Sequence, residues 1–132
     1  CSQAGGFMAG TVSPNGVRNF GGRWMKRAKL STFKKGWWIG AFKPSLLPTK
    51  QFEVGFKHHR KDDDYPAHYQ QVATEYNLLV HGRMTIGEET FNDGDLFVIP
   101  PGEVVKPIFI SDCQVVCIKV PSLPGDKVEC PR

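Results

Sequence analysis

Two residues of this 132-residue chain combine the side-chain types that general acid/base chemistry needs: His68 and Glu75. Histidine titrates near neutral pH, and a carboxylate taken inside a fold needs a partner or a metal to offset its desolvation. Either His68 itself or Gln70, which lies between the two, could be that partner. His58 is a further binding candidate. It falls in phase with Phe52, Val54 and Phe56 in the alternating run from Gln51 to His59, so alternation predicts that it points inward. A lone inward histidine is more often a satisfied interior residue than a ligand. His59 then faces outward and His81 sits beside a turn, which makes both bystanders. Tyr65, Tyr69 and Tyr76 are available nearby, and Tyr69, carried as a binding candidate, faces opposite His68 if that segment is extended.

The cysteines point away from metal or disulfide chemistry. Cys113 and Cys117 lie four apart in a β-branched run. On a strand they share a face roughly 13 Å apart along it, too far for a disulfide or a shared metal. No Cys-x-x-Cys pair exists, so zinc is not expected. The pair reads as two small core-facing hydrophobes in a reducing, cytoplasmic compartment.

Charge suggests a second chemistry. The formal net charge is +4, but residues 18–36 hold seven lysines and arginines and no acid, so the remainder is net −3. Such a run is usually a solvated arm, although it could also meet phosphate or an acidic surface. Asn19 to Trp24 and Lys34 to Trp38 interleave basic and aromatic residues, a pattern that could stack bases and follow a phosphate backbone. The alternative function is therefore a basic-aromatic barrel that binds single-stranded nucleic acid.

The elements that would position these groups are short strands. The length suits one domain, 40% hydrophobic and 23% charged residues suit a globular chain, and no apolar run is long enough to cross a bilayer. Fourteen glycines and ten prolines favour many turns. Strand signals come at Trp37 to Phe42, Gln51 to His59, Glu75 to His81, Arg83 to Ile86, Asp95 to Ile99, Ile108 to Ile110 and Gln114 to Val120, followed by a Pro-rich tail. Gly82 and Gly94 supply the positive φ of tight hairpins, and Pro100-Pro101-Gly102 stops a strand. This predicts eight to ten strands in an all-β sandwich or barrel over residues 35–132, behind a flexible basic arm at 1–34 whose first 24 residues read as a poorly ordered extension.

The segment from Pro66 to Gly102 resembles the cupin family. His68, Glu75 and Gly82 keep the frame of the first cupin motif, with Gln70 at its second histidine. Gly94, Pro100 and Gly102 keep the second motif, with Val105 at its final histidine. The resemblance covers roughly residues 50–120 and implies a jelly-roll barrel, the double-stranded β-helix. It implies a small-molecule pocket and a divalent transition metal (Fe, Mn, Ni or Zn) on His68, Gln70 and Glu75, held weakly or not at all because one histidine is an amide and another a valine. It also implies a homodimer, with the Trp37 to Phe42 strand extending a partner's sheet. A membrane partner is not expected.

Overall fold

The computed structural model describes residues 11–12, 18–19 and 25–131. Most of the segment read as an arm lies outside them. The strands in chain order are β1 (Thr11–Val12), β2 (Arg18–Asn19), β3 (Lys26–Arg27), β4 (Trp37–Ile39), β5 (Glu53–His59), β6 (His68–Gln70) and β7 (Thr74–His81). They continue with β8 (Met84–Ile86), β9 (Glu89–Phe91), β10 (Leu96–Ile99), β11 (Pro107–Phe109), β12 (Cys113–Val120) and β13 (Lys127–Glu129). Two 3-10 turns, Leu30–Thr32 and Lys34–Gly36, lead into β4, and Phe33 between them is buried. The expected all-β class holds. No helix among the described residues is long and apolar enough to cross a membrane.

The largest sheet has the order β10-β7-β12-β5-β4, every neighbour pair antiparallel. Facing it are β11-β8-β9 and the pair β13-β6, which His68 prolongs by bridging to Val105 with two backbone hydrogen bonds of 2.9 Å. Between the sheets, Leu79 of β7, Met84 of β8, Phe109 of β11 and Cys113 and Val115 of β12 form the apolar core. Each comes from a position whose strand neighbours point the other way, as the two-residue period of a strand requires. Gly82 and Gly94 take φ of +116° and +85° at the expected hairpins.

Register fixes which side chains face inward. Residues directly opposed across a ladder share a face. Buried Cys113, Val115 and Cys117 stand opposite His59, Lys57 and Gly55 of β5. The inward set of β5 is therefore Glu53, Gly55, Lys57 and His59. This corrects the expected parity: His58 is exposed on the outer face, edge-on to Phe56 at 4.9 Å, and His59 is the inward histidine. Alternation gave the two faces correctly but not which one was inside. The outer face of this sheet is itself apolar, with Val54 and Phe56 alongside Tyr76, Leu78, Val116, Ile118, Leu96 and Val98, and Leu96 is 75% exposed. Hydrophobicity alone pointed the strand the wrong way.

The C-terminal segment is also more ordered than a Pro-rich tail. The buried Asp126 carboxylate accepts the Val72 and Ala73 backbone N–H groups at 2.9 Å each, which anchors the segment against the turn between β6 and β7. Beyond it, β13 pairs with β6, with Lys127 opposite Gln70. The 121–124 prolines punctuate this path and do not end the structure.

Candidate functional site

Inside the barrel, next to the apolar core, is a cavity of about 70 Å³. Its polar wall comes from five strands: Lys57 and His59 from β5, His68 and Gln70 from β6, Glu75 and Asn77 from β7, Lys119 from β12 and Lys127 from β13. Trp37 closes one side. It lies across Gly55, where a Cβ would stand 2.7 Å from the indole, so the missing side chain makes room for the ring. The Lys57 and Lys119 ammonium groups sit 5.3 and 4.8 Å from the Trp37 ring, within cation–π range.

Glu75 centres a hydrogen-bonded group. Its Oε2 accepts from Asn77 Nδ2 at 3.1 Å, and its Oε1 from Gln70 Nε2 at 3.5 Å, at the outer limit of a hydrogen bond. Both Glu75 oxygens accept here, so the Gln70 amide is set with its NH2 toward Glu75. Gln70 Oε1 is then left buried with no partner among the described residues.

His68 is oriented from behind. Its Nδ1 lies 3.0 Å from the Pro66 carbonyl, which can only accept, so Nδ1 carries the proton and Nε2 the lone pair. Burial moves its pKa below the ordinary histidine value, outweighing the Pro66 hydrogen bond, so the ring is neutral at pH 7. His59 is stacked on Phe109 at 4.2 Å and meets Tyr65 edge-on at 5.4 Å. Burial, with Lys57 beside it, lowers its pKa to about 4. Burial likewise lowers Lys57 to about 8, and neighbouring Lys127, Lys119 and Lys35 act in the same direction. The Cys117 thiol is pushed well above its usual value by burial and is a protonated wall group, not a nucleophile.

Of the residues singled out from sequence, the fold brings His68, Gln70 and Glu75 to one cavity. His58 is on the far side of its sheet, and Tyr69, between two inward residues of β6, lies outside the cavity lining, where Tyr65 takes the aromatic position. Cys113 and Cys117 are buried and free, and His81 is exposed next to Asp93. Sequence reading gave no site role to Lys57, Lys119 or Lys127, set His59 aside as an outward bystander, and assigned Trp37 to the nucleic-acid alternative. One signal was present: Glu53, Gly55, Lys57 and His59 alternate as cleanly as their apolar neighbours, and a glycine in such a row marks a close approach. The basic-aromatic pair is split by the strand: Trp37 closes the cavity, while Trp38 lines a separate hollow with Phe33 and Leu46.

No protein-family model and no curated protein matches the sequence. Solved structures do match the fold. An uncharacterised conserved protein with a double-stranded β-helix domain from Klebsiella pneumoniae subsp. pneumoniae MGH 78578 has a TM-score of 0.56 at 16% identity, over 66% of this chain and 81% of that one. An rmlc-like cupin protein from Ralstonia eutropha JMP134 has a TM-score of 0.52 at 12% identity, over 64% and 59%. An oxalate oxidase has a TM-score of 0.55 at 19% identity, over 61% and 47%. This chain has the cupin fold.

A cupin barrel raises the question of a metal, and the donors here do not fit a tightly held divalent ion. Among the described residues, no three His, Cys, Asp or Glu side chains gather at one point. The position of a third imidazole holds Val105, an amide replaces the second, and both Glu75 oxygens face amide N–H groups. Three lysines line the same cavity and oppose a cation electrostatically.

Proposed function

We propose that this cupin binds a small molecule within the barrel and works on protein groups, without a tightly held metal. The observation that carries this reading is the unpartnered Gln70 Oε1 at the cavity wall. A buried acceptor left unmade costs about 1–3 kcal/mol, which a ligand donor would recover. Beside it, neutral His68 presents the Nε2 lone pair and the Glu75 carboxylate is held in place by two amides. His68 is thus suited to accept a proton from a bound hydroxyl or C–H acid, with Glu75 orienting the ligand.

The test has two parts. Elemental analysis of protein purified without chelator should find metal well below one equivalent; a full equivalent that disappears in His68→Ala and Glu75→Ala overturns the metal-free reading. Thermal-shift screening with small polyols, amides and organic acids should give hits that weaken in Gln70→Met and Glu75→Gln. Hits indifferent to both substitutions place binding elsewhere.

A further inference from the structure

The cavity adjoins a wider cleft of about 340 Å³, the two sharing Trp37, Gln70, Lys119 and Lys127. Together they are lined by six lysines, Lys34, Lys35, Lys43, Lys57, Lys119 and Lys127, against three carboxylates, Glu53, Glu75 and Asp126. This is a local surplus of positive charge, although the chain outside residues 18–36 is net negative. The end of the basic run, Lys34 and Lys35, is part of this mouth, and the Lys35 carbonyl accepts from Lys57 Nζ at 2.5 Å.

The carboxylates leave the surplus standing. Glu53 accepts from Ser122 Oγ at 2.7 Å, Asp126 holds the Val72 and Ala73 N–H groups, and Glu75 holds its two amides. Among the described residues, the Lys119 side chain makes no hydrogen bond or ion pair; it lies over the Trp37 ring, with Glu53 and Glu75 its neighbours across the two flanking strands. Lys127 donates to Tyr65 Oη at 2.8 Å and lies 3.9 Å from the exposed Glu129 carboxylate, a loose ion pair that leaves it donors for a ligand. Such crowding of like charge, which adds to burial in depressing Lys57, is unfavourable unless an anion enters.

The floor has the opposite character. Gln70 Oε1, His68 Nε2 and the Glu75 carboxylate are all acceptors, so that end calls for hydroxyl or amine donors. Cations at the mouth and acceptors at the floor describe one ligand. We infer that the pocket takes a hydroxylated small anion, its carboxylate or phosphate on Lys119 and Lys127 and its hydroxyls on Gln70 and His68. The inference rests on the proposed small-molecule reading and adds the class of ligand. Lysine offers point charges without the planar fork of arginine, which suits either anion.

Isothermal titration of the full chain at low salt tests it with five probes: glycerate, glycerol 3-phosphate, propanoate, inorganic phosphate and glycerol. Glycerate or glycerol 3-phosphate should bind at least about tenfold more tightly than the other three, roughly the weight of one charge-assisted hydrogen bond. Which of the two binds identifies the anion. In Lys119→Gln that binding should fall about tenfold and lose part of its salt dependence, while Lys61→Gln, outside the pocket, should leave it unchanged. Since the Lys119 side chain has no hydrogen bond to lose, a folding defect is not expected, and circular dichroism checks this. Propanoate or phosphate binding as tightly as the hydroxylated anions overturns the inference. Glycerol binding as tightly as glycerate, with Lys119→Gln without effect, overturns it too but leaves the small-molecule reading intact. No binding of any of the five, with no hit in the thermal-shift screen, removes both.

Discussion

The two faces of the five-stranded sheet invert the usual order of a β-protein. The outward face carries Val54, Phe56, Tyr76, Leu78, Leu96, Val98, Val116 and Ile118, while the inward face mixes apolar Leu79 and Val115 with Lys57, His59, Glu75, Asn77 and Lys119. Along β7 the inward row passes from Glu75 and Asn77 at the cavity to fully buried Leu79 at the core. The same strands thus build a dry half, which holds the sheets together, and a polar half, which forms the pocket. Composition distinguishes neither half, since apolar residues are spent on both faces.

Substitutions on each side of the sheet sharpen this contrast. The largest effect is expected for Leu79→Ala, which opens a hole in the dry half and should cost about 2–5 kcal/mol in urea unfolding. Val98→Ala on the outer face should stay within about 0.5 kcal/mol, as exposed positions do. Comparable costs would show that the outer face is covered in solution. Gly55→Ala comes next: its Cβ meets the Trp37 ring, so a loss of about 1–3 kcal/mol is expected, together with a shift in tryptophan fluorescence as the indole moves.

The polar half should reveal itself through pH. His59 stays neutral in the fold down to about pH 4, whereas an unfolded histidine takes up a proton near its ordinary value of 6.5. The unfolded chain binds more protons in that window, so stability should fall as pH drops from 6.5 toward 4, with His68 acting in the same direction. His59→Phe, which keeps a ring against Phe109, should reduce that slope in unfolding curves taken at pH 7 and pH 4.5. The smallest effect is expected at Lys57. Below about pH 8 its charge is held where burial disfavours it, and between there and 10.5 the unfolded chain binds the extra proton, so stability rises with pH. Lys57→Met should therefore stabilise the protein at pH 7, by under about 1 kcal/mol once solvent screening is allowed for, and the gain should shrink above pH 8.

Much of the fold was legible in advance. The hairpin glycines Gly82 and Gly94, the strand stop at Pro100 and the alternating runs follow from local backbone physics, and they led to the barrel. His68, Gln70 and Glu75 were legible as a group through the cupin-like motif frame, which is local enough to read because one turn joins the strands that carry it. The cations were not. Lys57, Lys119 and Lys127 lie on three strands distant in sequence, and nothing local distinguishes them from solvated surface lysines. The inversion of His58 and His59 has the same origin: a period of two sorts residues into two faces but carries no sign.

Spacing and residue type by themselves determined the β class and the hairpin turns, because each depends on neighbours within a few residues, and the motif frame that resembles the cupins marked His68, Gln70 and Glu75. Only the tertiary structure decided which face of β5 is the inside, that the Pro-rich tail returns as β13, and that lysines from three strands meet above one carboxylate. Those outcomes depend on strand register, and register is set by pairing between segments far apart in the chain.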